Sequence, residues 1–390
     1  MSLAVFLCAL VTGYPAAQPE PIRIGLVISV TGDLRPWGVE GMGGAQLAVA
    51  HYNRRGGYRG RPVELVVEDS SSRPDRGASA GEKLVSEGCV AVIGDIASGI
   101  TRAIREKVAD KGVPQVVIAA TRDDLCQGSR YMFRTCYTDS EQGPAMAKFA
   151  FEVLDYRRVS VVTDVKQPFC VELSQSFRES FRRRGGRIVG EGHVNTGQTN
   201  FADVARLIKA GHPDGVFCGM YFTESGPLIR QARESGLPQK VRFLGSDGFD
   251  AAELVPLAGP GIDGSYMSNH YVNDEPSPRV TVFRRAWRLE HDGADPQTTM
   301  AALGFDAAAL TLDALDRAKK PDQNGLRDAL ASTVGFRGVT GEITLKGSHG
   351  NPRKRVVIAK ILVGPPPRQS FAKAYEFSEI VGRRAKPRKR

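Results

Sequence analysis

The chain has 390 residues, of which 41% are hydrophobic and 25% are charged. This composition is typical of globular proteins, and the length allows two domains with cores of their own. The net charge of +10 does not indicate a nucleic-acid partner. Six of the basic residues lie in a proline-containing tail at 381–390, and the others form no stripe and are not interleaved with aromatic residues.

The N-terminus has the pattern of an export signal. An apolar run at residues 3–11 precedes Ala16 and Ala17, although no Lys or Arg stands before it. We therefore interpret residues 1–17 as a signal-like segment and expect export; a start codon placed too late and a short disordered N-terminus both remain open. The run is too short to span a bilayer.

Apolar runs of strand length alternate with amphipathic segments of helix length. The first series predicts strands at 22–30, 63–69, 90–93, 116–120 and 131–135, and helices at 41–54, 76–86 and 100–108. The second series opens with a helix from 139 to about 154. It continues with strands at 159–163, 187–193, 215–219, 242–246 and 264–270, and with helices at 169–184, 201–210, 224–235 and near Ala251. Helices at 279–290, 298–317 and 325–331 and strands at 341–345 and 355–362 follow.

Two successive series of this kind predict two doubly wound α/β domains with a cleft between their carboxyl edges. Ser98, before a helix, and Thr121, after a strand, both fall at such an edge, where ligands bind. The free N–H groups at a helix start suit a carboxylate. The alternative is that Ser98 only caps its helix and Thr121 only ends a strand.

Motifs of catalysis are absent from the sequence. No G-x-G-x-x-G follows a strand, and there is no G-x-x-x-x-G-K-[ST] or G-x-S-x-G. The six histidines are isolated, and each is interpreted as a surface or packing residue. We expect a binding protein with no enzymatic activity, no cofactor and no metal.

The six cysteines form no C-x-x-C motif. Cys126 and Cys136 flank a short loop and could pair in an oxidising compartment. Cys89, Cys170 and Cys218 are interpreted as small buried residues.

A set of short motifs occurs in a fixed order along the chain. The motifs are I-G-x-x-x-x-x-T-G at 24–32, W-G at 37–38, N-x-x-G-G at 53–57, V-I-G at 92–94, A-A-T at 119–121, F-R-T-x-x-x-D-S-x-Q-G at 133–143, R-Q-A-R at 230–233 and F-L-G-S-D-G at 243–248. With this order and spacing, residues 22–363 resemble the periplasmic leucine/isoleucine/valine-binding proteins, the solute receptors of branched-chain amino-acid ABC importers.

The resemblance implies a type I periplasmic binding protein: two Rossmann-like domains joined by a three-strand hinge that close over the ligand. The first domain would comprise 18–138 plus 268–343, and the second 139–267 plus 344–380, followed by the basic tail 381–390. By the same resemblance the chain would cross between domains near 134–139, 266–270 and 341–345.

Four residues of the first domain match ligand-binding positions of the family that the chain resembles. Ser98 matches the serine that, with its helix N-terminus, holds the ligand carboxylate. Ala119 and Thr121 match residues whose backbone carbonyl and side chain bind the ammonium and carboxylate. Trp37 falls where an aromatic wall shapes the side-chain pocket.

Three residues of the second domain match further ligand-binding positions of the family. Tyr221 matches an aromatic residue that closes over the ligand, and Asp247 matches the acidic residue that pairs with the ammonium. Phe169 stands where many members have Tyr. The alternative for Trp37 and Tyr221 is core packing, and for Asp247 it is capping of the short helix near Ala251.

The resemblance implies a monomeric periplasmic receptor that binds an amino acid, aliphatic or branched-chain, and delivers it to the membrane permease of an ABC importer. Two alternatives stay open. One is a receptor of the same fold for an amide or for an aromatic or aliphatic carboxylate; Asp247 argues against an anion without an amine, because two buried negative charges repel. The other is a ligand sensor that is not coupled to transport.

Overall fold

The computed structural model describes residues 20–364 and 367–380, so the signal-like segment 1–17 and the basic tail 381–390 lie outside the described residues. The first unit begins with β1 (Ile22–Ile28), α1 (Arg35–Arg54), β2 (Val63–Asp69), α2 (Pro74–Ser86), β3 (Ala91–Ile93), α3 (Ser98–Lys107), β4 (Gln115–Val117) and β5 (Met132–Arg134). These strands form a parallel sheet in the order β2-β1-β3-β4-β5.

The second unit alternates in the same way. Its elements are α4 (Asp139–Lys148), continued by a π-helix (Phe149–Val153), β6 (Arg158–Asp164), α5 (Pro168–Arg183), β7 (Arg187–Val194), α6 (Ala202–Ala210), β8 (Gly215–Gly219), α7 (Phe222–Glu234), β9 (Arg242–Gly245), α8 (Leu254–Ala258) and β10 (Tyr266–Asn269). Helices α9 (Pro278–Glu290), α10 (Met300–Arg317) and α11 (Gln323–Ala331) then return to the first unit, where α10 packs against α1.

The last elements are a hairpin of β11 (Phe336–Gly338) and β12 (Gly341–Ile343), then β13 (Val356–Leu362), β14 (Arg368–Tyr375) and α12 (Phe377–Ile380). The second sheet has the order β14-β13-β10-β9-β8-β6-β7, with β13 antiparallel to both of its neighbours. The expected α/β class with two doubly wound sheets is confirmed. Within the described residues, no helix combines the length and apolarity that a membrane span requires.

The chain passes between the units three times. Residues 135–138 lead from β5 to α4, residues 270–277 from β10 to α9, and residues 344–355 from β12 to β13. The strand at 341–345 that we expected to cross instead pairs within the hairpin. The third crossing comes later, because the carbonyl oxygen of Gly350 still accepts a hydrogen bond from the Arg134 N–H at the first sheet (3.0 Å). The domain bounds stated above remain a proposal.

Lys354 fixes the third crossing to the first. Its buried ammonium donates to the carbonyl oxygen of Thr135 (2.7 Å) and to the hydroxyl of Thr340 (2.6 Å). Burial lowers the pKa of Lys354 to about 8, with the Asp306 carboxylate acting in the opposite direction. The crossing segments are therefore held by hydrogen bonds from a desolvated cation.

The five described cysteines are all buried and unpaired. Cys126 Sγ points to the carbonyl oxygen of Gly350 (3.7 Å), whereas Cys136 Sγ points to that of Ala120 (3.2 Å). The disulfide considered for Cys126 and Cys136 is absent from the structure, because each sulfur faces a backbone carbonyl on a different segment. The interpretation of Cys89, Cys170 and Cys218 as buried residues is confirmed.

Helices α1 and α10 approach each other through glycines. A Cβ built on Gly304 of α10 would overlap the backbone of Gly41, and one built on Gly44 of α1 would overlap the backbone of Ala301. Because backbone atoms cannot move aside as a flexible side chain can, these two helices can pack this closely only without side chains at the contact.

We expect Gly304→Ala to lower the free energy of unfolding by about 1–3 kcal/mol, the usual cost of overpacking a core. A loss of stability would indicate the close approach of the helices, since Gly→Ala inside a helix otherwise stabilises the fold by about 0.5–1 kcal/mol. Urea unfolding of the two proteins measures the difference. Gly99→Ala is the matched control, because a Cβ on Gly99 of α3 meets no atom within 4 Å. Equal effects of the two substitutions would contradict the close approach.

Candidate functional site

A small cavity lies between the carboxyl edges of the two sheets. It is lined by Trp37, Ile96, Ser98, Ala119, Thr121, Phe169, Tyr221, Asp247, Gly248 and Met300. All seven residues proposed from the sequence are in this set. The cavity volume is about 20 Å³, roughly the space that one water molecule needs. The structure thus brings these seven residues together although Trp37 and Asp247 are 210 positions apart in sequence. Their role in binding remains a prediction.

Ser98 stands at the start of α3. The helix begins at Ser98 itself, and no side chain caps it. Ser98 Oγ instead accepts a hydrogen bond from the backbone N–H of Arg122 (3.4 Å). The alternative reading of Ser98 as a helix cap is therefore wrong. The first N–H groups of α3 have no partner inside the helix, so this end of the cavity offers donors and a partial positive charge.

The buried carboxylate of Asp95 shapes the loop that leads into α3. It accepts from the backbone N–H groups of Ile96 (2.5 Å) and Ala97 (3.1 Å) and from the hydroxyl of Ser70 (2.8 Å). Burial raises the pKa of Asp95 to about 6, against the lowering effect of these donors. Because Asp95 satisfies the N–H groups just before the helix, those of the helix itself are left for a ligand.

Ala119 and Thr121 lie just beyond β4, where the chain turns along the edge of the sheet. The buried guanidinium of Arg134 fixes this turn by donating to the carbonyl oxygens of Ala120 (3.2 Å) and Arg122 (2.7 Å). The carbonyl oxygen of Thr121 accepts from the backbone N–H of Asp139 (3.0 Å). These hydrogen bonds fix the turn that carries Ala119 and Thr121, and both of these residues line the cavity.

Aromatic rings from both units form one wall of the cavity. The Trp37 ring in α1 stands edge-on to Tyr221, with centroids 5.3 Å apart, and Tyr221 stacks on Phe169 at the same distance. The indole N–H of Trp37 donates to the carbonyl oxygen of Asp250 in the second unit (2.6 Å). Trp37 therefore spans the cleft, and the structure is that of a closed form.

Asp247 lies in a short 3₁₀ helix directly after β9. Its Oδ2 is 3.3 Å from Nε2 of His270, and its buried Oδ1 has no hydrogen-bond partner among the described residues. The proposed capping of α8 is excluded, because that helix begins at Leu254, is preceded by Glu253 and has no side-chain cap. A buried carboxylate oxygen without a donor is costly, and a cationic ligand would satisfy it.

Two residues at or beside the cavity, His270 and Met300, were missed by the sequence reasoning. His270, taken there as a surface or packing residue, contacts Asp247, and its ring stacks on Tyr137 with centroids 4.0 Å apart. Since His270 directly follows β10, the carboxyl-edge rule that selected Thr121 would also have selected it. No comparable signal marks Met300, at the start of α10.

The two ends of the cavity differ in charge: one carries Asp247, and the other is the start of α3. The lining residues include two ionisable side chains, Asp247 and Tyr221. Burial raises the pKa of the Tyr221 phenol well above its usual range, so Asp247 is the charged group of the lining. This arrangement suits a small zwitterion with an ammonium at Asp247 and a carboxylate at Ser98. Within residues 20–364 and 367–380, no group of three or more His, Cys, Asp and Glu side chains could hold a metal ion.

Known proteins with the same architecture support the resemblance found in the sequence. The leucine-specific-binding protein of Salmonella typhimurium is 28% identical over 316 residues, 79% of this chain and 85% of the relative. A leucine binding protein from Thermotoga maritima has 30% identity and a TM-score of 0.85, over 91% of this chain and 99% of the other. A branched-chain amino acid transporter substrate binding protein from Streptococcus pneumoniae, solved with isoleucine, has 29% identity, a TM-score of 0.82 and the same coverage.

The family assignment follows from the length of the match as well as from the fold. Residues 21–364 match the Periplasmic binding protein family, which covers both units and all three crossings. The TM-score of 0.85 with the leucine binding protein shows that the two chains have the same fold. The chain belongs to the periplasmic binding protein family.

Proposed function

We propose that this protein is an exported receptor that binds a branched-chain amino acid between its two units and delivers it to the permease of an ABC importer. The family and the named relatives are binding proteins, so the chain is a receptor and not an enzyme. The relatives named for leucine, and the one solved with isoleucine, support the ligand class.

The unpartnered Oδ1 of Asp247 is the observation that carries the proposal. A ligand ammonium placed there would turn an unsatisfied buried acceptor into a charge-assisted hydrogen bond. The start of α3, beside Ser98, would receive the carboxylate. A carboxylate ligand without an amine would leave Oδ1 unsatisfied and add a second negative charge, so an amino acid is favoured.

The remaining lining residues favour an aliphatic side chain. Trp37, Phe169 and Tyr221 supply flat apolar surfaces, and Ile96 and Met300 complete the lining. A charged ligand side chain would meet no partner of opposite sign among these residues and would lose its hydration.

Closure of the cleft is part of the proposed mechanism. Ser98 and Thr121 belong to the first unit, whereas Tyr221 and Asp247 belong to the second, so a ligand that contacts all four favours the closed arrangement. Export, delivery to a permease and action as a monomer complete the proposal. The family match supports export, and the relative named as a transporter substrate binding protein supports delivery.

Calorimetry with the twenty amino acids tests the ligand class. We expect one molecule of leucine, isoleucine or valine to bind per chain, and neither leucinamide nor 4-methylpentanoate to reach the affinity of leucine, since each lacks one charge of the zwitterion. Tight binding of benzoate-type acids without any response to amino acids would refute the proposal.

Asp247→Asn tests the ammonium contact. The substitution keeps the shape of the side chain and removes its charge, so we expect the affinity for leucine to fall at least about thirtyfold, or about 2 kcal/mol. The melting temperature without ligand should hardly change. Asp203→Asn, at an exposed position of α6, is the matched control and should bind as the unaltered protein does. An Asp247→Asn protein with full affinity would place the ammonium elsewhere.

Tryptophan fluorescence reports on closure at a single position. The chain has two tryptophans: Trp37 in the cavity wall, and Trp287 in α9, stacked on His291. We expect leucine to change the fluorescence of the unaltered protein and of Trp287→Phe, because the surroundings of Trp37 change when the cleft closes. Trp37→Phe should lose the change. A fluorescence change that is lost in Trp287→Phe and kept in Trp37→Phe would contradict closure at Trp37.

A further inference from the structure

We propose that His270 is a positioning residue of the ligand site, whose ring N–H holds Oδ2 of Asp247 so that Oδ1 faces the ligand ammonium. The inference rests on the proposed function and assigns a role to a residue that does not line the cavity. It makes His270 a determinant of the preference for ligands that carry an amine.

The contact is isolated from water. The His270 side chain is 0% exposed and the Asp247 side chain 6%. Nε2 of His270 lies 3.3 Å from Oδ2 of Asp247, and Nδ1 has no hydrogen-bond partner among the described residues. Among the residues that the structure describes, the ring therefore makes one polar side-chain contact, and that contact is with Asp247.

The proton of the ring can be assigned from this geometry. Burial lowers the pKa of His270, in spite of the raising effect of Asp247, so the ring is neutral near pH 7 and carries one N–H. An ionised carboxylate only accepts hydrogen bonds, which places the N–H on Nε2. In this tautomer His270 donates to one oxygen of Asp247 and leaves the other for a second donor.

The ring of His270 is held by stacking. It lies nearly parallel to the ring of Tyr137, with an interplanar angle of 14°. The backbone N–H of His270 donates to Oδ1 of Asn269 (2.9 Å). Tyr137 lies in the first crossing segment, and His270 begins the second. A rotation of the ring would break the stack, so the orientation of Asp247 is linked to the two segments about which the units move.

The experiment compares two ligands and two substitutions. His270→Phe keeps an aromatic ring for Tyr137 and removes the N–H, whereas His270→Gln keeps a side-chain N–H donor. Calorimetry measures the affinity of each protein for leucine and for 4-methylpentanoate, which is leucine without its amine. The ratio of the two affinities reports on the ammonium contact alone, and thermal melting without ligand shows that each variant is folded.

We expect His270→Phe to lose about tenfold in affinity for leucine and little for 4-methylpentanoate, as for the loss of a hydrogen bond to a charged group. His270→Gln should retain most of the ratio. In an Asp247→Asn background, His270→Phe should cause no further loss, because the two residues act as one unit. Should His270→Phe fail to fold, His270→Met supplies the same comparison.

An unchanged ratio in folded His270→Phe would overturn the inference. So would equal losses for both ligands in both variants, which would give His270 a purely structural role. Either result leaves the proposed function intact as long as the unaltered protein binds leucine. Failure of the unaltered protein to bind any amino acid would overturn the proposed function, and the inference with it.

Discussion

A buried carboxylate with one unsatisfied oxygen is the constraint on which the site depends. Asp247 lies in a cavity that Trp37 and Tyr221 close from opposite units, so water cannot replace a missing donor freely. The same enclosure that makes the empty site unfavourable makes a correctly charged ligand favourable. The proposed closure, charge selection and ligand size would thus all follow from one arrangement, in which polar groups from two sheet edges face each other across a small volume.

Much of this arrangement could be predicted from the sequence. Alternating strand and helix patterns place the carboxyl ends of parallel strands on one edge, and residues that directly follow those strands must then lie together. The rule selects Ser98 at the start of α3 and Thr121 after β4, whereas Asp247 after β9 was taken from the resemblance to the family. The motifs of the family added Trp37 and Phe169, which lie inside helices and have no local signal of their own.

The features that could not be predicted depend on contacts between distant segments. The contact of His270 with Asp247 needs the register of β10 beside β9, which no local pattern specifies. Strand β14 was missed because it is a largely exposed edge strand with few apolar residues, stabilised by pairing with β13. The later position of the third crossing depends on a hydrogen bond between Arg134 and Gly350, more than 200 residues apart in sequence.

The hydrogen bond from the Trp37 indole to the carbonyl oxygen of Asp250 has a kinetic consequence. A ligand enclosed behind it cannot leave until the bond breaks and the cleft opens, so the lifetime of the complex is set by the opening rate and not by the ligand contacts alone. Substitutions in this wall that slow opening should therefore lengthen the residence time and raise the affinity together, because most changes within one interface act on dissociation. Opening of the cleft, and not only the strength of the ligand contacts, would thus control how fast a bound ligand exchanges.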